Sequence, residues 1–165
     1  MTHRVGETIV RQGRDSDCDA IIEIINYYAA TSYAAYPEVP ANERVFAFLR
    51  ERVLAFYVVE REAHVVGFGL MKPFMPFPAF MTTGLLTCFI QPEFTRMGLG
   101  KKFLDRLTDD ATKMDMTSLV VNMESKNIPS ILFHTRYGFS EVGRLQDAGI
   151  KFGEQFDIIL MQKML

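Results

Sequence analysis

Two stretches of the chain combine residue types and spacings that could do chemistry. The first is Gln91-Pro92-Glu93-Phe94-Thr95-Arg96-Met97-Gly98-Leu99-Gly100-Lys101-Lys102, between an apolar run and an amphipathic one. Glycine lets backbone approach a ligand closely. The first N–H groups of a helix have no internal partner, and the helix dipole adds partial positive charge there. A strand–glycine–helix turn can therefore hold an anion such as pyrophosphate, and it can equally be an ordinary packing turn. Arg96, Lys101 and Lys102 supply local positive charge in a chain of formal net charge −2. A P-loop would need Ser or Thr where Lys102 stands, and a dinucleotide fingerprint a third glycine where Phe103 stands. The second stretch is Asn127-Ile128-Pro129-Ser130-Ile131-Leu132-Phe133-His134-Thr135-Arg136-Tyr137-Gly138-Phe139. Asn127 suits an N-cap, Pro129 a first turn and Gly138 a C′ position. His134 then falls near the end of a short helix. Alone it reads as a solvent-facing histidine; beside an anion-binding turn it becomes a candidate acid–base group, because an unperturbed imidazole titrates near 6.5.

The elements that must position these stretches follow from periodicity. A strand is expected over Glu7–Gly13. Asp15, Ser16 and Asp17 offer caps for a helix with Ile21, Ile24, Ile25 and Tyr28 on one face. Thr31–Pro40 reads as a loop, and a second helix follows with Val45, Phe48, Leu49 and Val53 inward. Ala55–Glu60 and His64–Met71 read as a hairpin turning at Arg61–Ala63. A strand over Gly84–Ile90 stops at Pro92. A helix from Gly98 points Leu99, Phe103, Leu104, Leu107, Ala111 and Met114 inward. Thr117–Met123 is a short strand, and Phe139–Leu145 and Phe156–Met164 close the chain. The order βααβββαβαββ predicts one domain over 1–165, a mixed sheet with helices on both faces.

Composition excludes several classes. The chain has 165 residues, 48% hydrophobic and 23% charged, near the globular average. An acidic balance argues against a general nucleic-acid binder. Cys18 and Cys88 have no CxxC partner and the three histidines are scattered, so neither a disulfide scaffold nor a zinc site is expected. A reducing, cytoplasmic setting is the expectation, and Met1–Arg14 lacks the apolar run of a secretory signal. Val65 to Ile90 carries only Lys72 as a charge, but Pro73, Pro76 and Pro78 would break a spanning helix. Two buried strands joined by an apolar loop are expected there, and no membrane contact.

Taken together, these residues resemble the GCN5-related N-acetyltransferase superfamily. Gly98 and Gly100 match its Q/R-x-x-G-x-G/A turn, with Thr95 in place of the first Gln or Arg. Asn127, Ser130, His134, Gly138 and Phe139 match its later N-x-x-S/A-x-x-L-Y/H-x-x-x-G-F motif, with Phe133 for Leu. Ile25-Asn26-Tyr27-Tyr28, Val142-Gly143, Lys151-Phe152-Gly153 through Asp157, and Met161-Gln162 look like the branch that acetylates phosphinothricin and methionine sulfoximine. The resemblance implies an α/β (α+β) fold: a mostly antiparallel twisted sheet of about seven strands, splayed between the fourth and fifth, with helices on both faces. It implies acetyl-CoA as co-substrate and no metal. Pantetheine would pair with the backbone of Cys88, Phe89 and Ile90. Pyrophosphate would sit over Arg96, Met97, Gly98, Leu99, Gly100 and Lys101, with Asn127, Ser130 and Tyr137 also on the cofactor. His134 would protonate the leaving thiolate. A homodimer is implied as well.

The match breaks on the acceptor side. The branch's Glu, thought to act as base, aligns with Leu85, and its Tyr and Arg with Phe80 and Met81. A carboxylate beside Phe74, Met75, Phe77 and Phe80 would be costly to desolvate. The expected acceptor is a small primary amine with an apolar body and no required carboxylate. Tyr33 and Tyr36 could reach it, or could simply pack over the sheet. A non-catalytic acyl-CoA-binding module and a protein or peptide N-acetyltransferase are the alternatives.

Overall fold

Strands buried on both faces read as continuous apolar runs, and the middle of this fold is built from them. β2 (Ala55–Arg61) and β3 (His64–Pro73) pair antiparallel from Ala55↔Met71 to Arg61↔His64. β1 (Thr8–Gln12) adds to the outer edge of β2, and β4 (Thr83–Ile90) runs antiparallel along β3. β5 (Ser118–Glu124) lies parallel to β4; β7 (Glu154–Met164) and β6 (Ser140–Lys151) complete a seven-stranded sheet of order β1-β2-β3-β4-β5-β7-β6. This computed structural model describes residues 7–36 and 40–165; the expectations for residues 1–6 and for 37–39 of the first loop lie outside them.

Two cores sandwich the sheet. On one face α3 (Leu99–Lys113) buries Leu99, Phe103, Leu104, Leu107 and Ala111 against β2, β3 and β5, with α4 (Ile128–Arg136) alongside. On the other face α1 (Cys18–Thr31) buries Ile21, Ile24 and Ile25, and α2 (Glu43–Arg50) buries Phe46, against Phe56, Val58, Phe68 and Leu70. Each such large side chain stabilises the fold by roughly 1.5–3 kcal/mol relative to exposure. Among the described residues no helix is long and apolar enough to cross a membrane. The apolar stretch from Val65 instead forms β3 and β4, joined through a short turn at Pro78–Phe80.

Three expectations need correction. Phe48 is 68% exposed and carries Lys72 over its ring, while Phe46 takes the buried place. With two phenylalanines two apart, the stripe can be drawn through either, and only packing on Phe56 decides. Met114 is exposed, because it caps the end of α3 instead of continuing its stripe. The last two strands are longer than expected: they meet at Phe152-Gly153, both at positive φ, which is the backbone of a tight hairpin turn. Register shifts at Glu141/Gly143 and Leu145/Gly149 interrupt the alternation that would have revealed β6.

Candidate active site

A wedge opens between the two parallel strands. β4 and β5 pair only at Thr83↔Ser118, Gly84↔Leu119 and Leu85↔Val120. β4 continues to Ile90 against β3, and β5 to Glu124 against β7, so the gap lies between Leu86–Ile90 and Val121–Glu124. Antiparallel pairing alternates which residues bond across a ladder. Phe74 N–H donates to Thr83 O and Gln91 N–H to Val66 O, so the odd-numbered residues of β4 bond to β3. Leu86, Cys88 and Ile90 therefore face the β5 side; the Leu86 N–H still serves the last pair, Leu85↔Val120, so the Leu86 C=O, both groups of Cys88 and the Ile90 N–H are what an extended ligand arm can pair with like an added strand. Phe89, expected to offer its backbone, turns that backbone to β3 and its ring onto Phe68 and Tyr28. The Tyr28 hydroxyl donates to Ile90 O, a contact that the sequence did not single out, and burial pushes its phenol up to about 12. Cys88 is exposed to the wedge.

At the open end of β4 stands the glycine turn. Gly98 caps α3 at φ +78°, and a Cβ there would meet nothing within 4 Å. Arg96 also has positive φ, so the turn curls its N–H groups toward one concavity. The helical ladder begins with Lys102 N–H on Gly98 O, leaving the N–H groups of Leu99, Gly100 and Lys101 free for an anion. The Leu99 side chain is buried, so only its backbone can serve. Gly100 has a different reason: its Cβ would press on the Phe133 ring at 3.1 Å, so glycine lets α4 pack on the turn. Arg96 and Met97 are exposed at the rim, and Lys101 is ion-paired with Asp105. The open cradle and the unpaired strand edge fit a diphosphate with an extended thiol-bearing arm.

His134 lies on α4, on the α3 side of the sheet. Its Nδ1–H donates to Ser130 O at 2.8 Å, and its ring sits edge-on between Phe133 and Phe139. Burial depresses its pKa, the Ser130 hydrogen bond opposing. With the proton held on Nδ1, the neutral ring presents a lone pair on Nε2. His134 thus enters as a proton acceptor and becomes a donor only after taking a proton. Ser130, expected on the cofactor, orients His134; its own N–H is capped by Asn127 Oδ1 at 3.3 Å. Tyr137 packs its ring on Phe133, 4.8 Å between centroids.

The five expected acceptor residues separate. Leu85 stands at the vertex of the wedge on the α1 face. Phe80 and Met81 precede the closed end of β4, with Phe80 packed near Phe74, away from the opening. Tyr33 and Tyr36 pack over the open end: Tyr33 donates to Glu154 at 3.0 Å and meets Phe152, and Tyr36 stacks parallel to Phe156. Lys151 donates to Ser32 O and Ala35 O and ties this loop to β6. A cleft of about 340 Å3 lies there, lined by Tyr36, Gly149, Ile150, Lys151, Phe156 and Ile158. Glu124 was missed by sequence reasoning. It is a carboxylate at the end of an apolar strand, 2% exposed, and the charge closing the run Leu119–Met123 is the signal that could have marked it. No cluster of metal-ligating side chains occurs among the described residues.

The comparisons agree with this architecture. The Acetyltransferase (GNAT) family model matches residues 21–139. The chain is 32% identical over 161 residues to the L-amino acid N-acyltransferase MnaT of Escherichia coli, covering 94% of this chain and 93% of that protein. It is 29% identical over 160 residues to the L-methionine sulfoximine/L-methionine sulfone acetyltransferase of Salmonella typhimurium, covering 94% of each. Among solved structures, a ribosomal-protein-alanine N-acetyltransferase from Brucella melitensis superposes with a TM-score of 0.86 at 30% identity, over 95% of this chain and 99% of that one. A Salmonella typhimurium protein solved with its cofactor acetyl-CoA superposes with a TM-score of 0.87 at 27% identity, over 96% and 94%.

Proposed function

The chain belongs to the acetyltransferase (GNAT) family, and from that premise we propose how its own residues move an acetyl group from acetyl-CoA to a small primary amine. It is an N-acetyltransferase with acetyl-CoA as co-substrate. The acceptor we assign is a primary amine carrying an apolar side chain, of the size of an amino acid. What supports this is the cleft at the open end of the sheet, walled by Tyr36, Ile150, Phe156 and Ile158, with Leu85 at the wedge vertex in place of a carboxylate. The relatives named for L-amino acids and methionine sulfoximine support the same size class.

The single observation that carries the reading is the wedge with its unpaired backbone. The Leu86 C=O, the Cys88 N–H and C=O and the Ile90 N–H are open to the pantetheine arm, and the turn at Arg96–Lys101 offers amides to the diphosphate. The Cys88 N–H, the first free donor beyond the vertex, is the donor for the oxygen that gains charge as the amine adds to the thioester carbonyl. His134 Nε2 takes the proton that the nitrogen sheds on forming the amide and passes it to the departing CoA sulfur. The protein works as one cytoplasmic domain on a small molecule. Two copies associate through β6, whose Val142, Leu145 and Ile150 are exposed on an edge strand. The test is release of free CoA thiol against a panel of amines and L-amino acids. Turnover of arylalkylamines and apolar amino acids over phosphinothricin is expected; preference for phosphinothricin would overturn the acceptor assignment, and no thiol release with any amine would overturn the activity.

A further inference from the structure

His134 carries a proton to the departing sulfur, but the incoming ammonium is left without a base, since Leu85 cannot take a proton. Glu124 is the unexplained group nearby. It closes β5, four residues beyond the last residue paired to β4, on the α1 face of the sheet. It is 2% exposed, and its Oε2 is cut off from solvent with no hydrogen-bond partner. A buried carboxylate oxygen left unpaired costs folding free energy, so a role in the reaction would account for it. Its register partner on β7, Ile158, lines the 340 Å3 cleft, and directly opposed residues share a sheet face. Tyr36 roofs the carboxylate: its phenol lies against Glu124, and the residue, half-exposed, forms part of the cleft wall.

We propose that Tyr36 and Glu124 form a proton relay that deprotonates the acceptor's ammonium. This rests on the acetyltransferase reading above. The Tyr36 oxygen accepts one ammonium proton as its own hydroxyl proton passes to Glu124 Oε2. The ammonium becomes a neutral amine, the carboxylate a carboxylic acid, and the phenol is regenerated. The N–C bond then forms and the C–S bond breaks. The second nitrogen proton leaves through His134 to the sulfur, and the proton on Glu124 returns to solvent by the same path after product departs. One proton is released per turnover, as acetylation of an ammonium requires. Three groups face Glu124: Tyr36 from the first loop, Asn127 from the start of α4 and Lys151 from β6. Burial pushes its carboxyl up, with Tyr36, Asn127 and Lys151 opposing. A carboxylate so raised is a stronger base than a solvated one. Burial first, then the Glu124 carboxylate, also raises the Tyr36 phenol, so the relay carries a proton through tyrosine without leaving it ionised.

The test compares Tyr36→Phe, Glu124→Gln and the double variant by CoA release and by acetyl-CoA calorimetry. Two acceptors are used: the aliphatic amine that wild type turns over fastest, and aniline, which is neutral at the assay pH. Each single variant is expected to lower kcat/KM for the aliphatic amine by on the order of a hundredfold or more. The double variant should lose no more than either single one, with acetyl-CoA affinity unchanged. For aniline the loss should be at least about tenfold smaller than for the aliphatic amine, because there is no ammonium to deprotonate and only the cleft wall is altered; equal losses on both acceptors would mean a structural role and overturn the relay. Aliphatic turnover unchanged in Glu124→Gln, or additive losses, would overturn it too. A wild type that binds acetyl-CoA but releases thiol with no amine would sink the acetyltransferase reading, and the relay with it. An independent readout is the ultraviolet titration of tyrosine: Glu124→Gln should lower the pH at which one phenol ionises, and an unaltered curve would also overturn the relay.

Discussion

Gly98 separates the energetics of the fold from those of the ligand. Its φ of +78° costs an L residue about 1–2 kcal/mol. A Cβ there meets nothing within 4 Å, so Gly98→Ala and Gly98→Asp bear no steric cost, and aspartate, which tolerates the left-handed region better, bears no more conformational cost than alanine. For a domain of this length each kcal/mol moves Tm by about 2–4 °C, so both variants should melt a few degrees below wild type and remain folded. Binding should split them. A carboxylate about 4 Å from a phosphate charge repels it by about 1 kcal/mol in water and about 4 kcal/mol at an effective dielectric of 20. Gly98 is exposed, so the lower figure is the closer one. Two phosphate charges then give about 2 kcal/mol, or roughly thirtyfold in Kd between Asp and Ala. That gap should shrink as salt shortens the screening length from about 10 Å at 0.1 M to about 3 Å at 1 M. Calorimetry with acetyl-CoA at two ionic strengths, beside thermal melts, measures each part. If the Asp variant binds within about a factor of two of the Ala variant at low salt, the diphosphate does not lie over this turn, and the anion-cradle reasoning fails.

His134→Ala should lower kcat by about 10²–10⁴ with little change in acetyl-CoA affinity, read by steady-state kinetics and calorimetry; unchanged kcat at saturation would remove His134 from the reaction. Its depressed pKa has a second consequence: between the folded and ordinary values the unfolded chain binds more protons, so this residue's share of stability is complete above about pH 6.5 and falls as the pH drops below it. Asp17 acts in the same direction at lower pH. Burial pushes its carboxyl up, but hydrogen bonds from Arg11 at 2.8 and 2.9 Å and from the Arg14 amide outweigh this and hold it below the usual carboxylate range. Its stabilisation is thus present above about pH 4 and lost on acidification, and Asp17→Asn should flatten that part of a pH–stability curve obtained by urea titration. Leu107→Ala, at a 1% exposed site, should cost about 2–5 kcal/mol in urea unfolding while leaving acetyl-CoA affinity per folded molecule intact.

What could be read ahead of the structure was chemistry that neighbours in sequence enforce. The cap at Asn127, the left-handed Gly98 and the free amides after it depend on a few adjacent residues, and all three stand as the residue types require. The opening between β4 and β5 is different in kind. The apolar runs over 83–90 and 118–124 continue past Leu85 and Val120 with no change of pattern, because both strands stay paired on their outer sides, to β3 and β7. Divergence on the inner side leaves no mark in either sequence, and the splay between the fourth and fifth strands was expected only through the family resemblance. Phe46 against Phe48, and the full length of β6, were hidden likewise: one depends on which ring meets Phe56, the other on two register shifts. The charge that closes the run Leu119–Met123 marks Glu124, but its burial is made by parts far away in the chain, Tyr36 from the first loop and the hairpin carrying Lys151.

The two faces of the sheet explain why proton handling is divided. A thioester carbonyl carbon held in the gap between β4 and β5 is trigonal, so an amine adds from one side of its plane. Leu85, Tyr36 and Glu124 lie on the α1 face; Leu86 and His134 lie with the α3 core. An ammonium arriving from the α1 face meets Tyr36 before it meets His134, and must already be neutral to attack. His134 reaches the nitrogen and the sulfur only after the bond has formed, through the gap itself. A single base serving both events would have to cross the sheet between them. Closing the gap by one more β4–β5 pair beyond Leu85↔Val120 would satisfy the Leu86 carbonyl and bar that passage, so the unpaired edge, which costs the fold hydrogen bonds, is the feature the chemistry needs most.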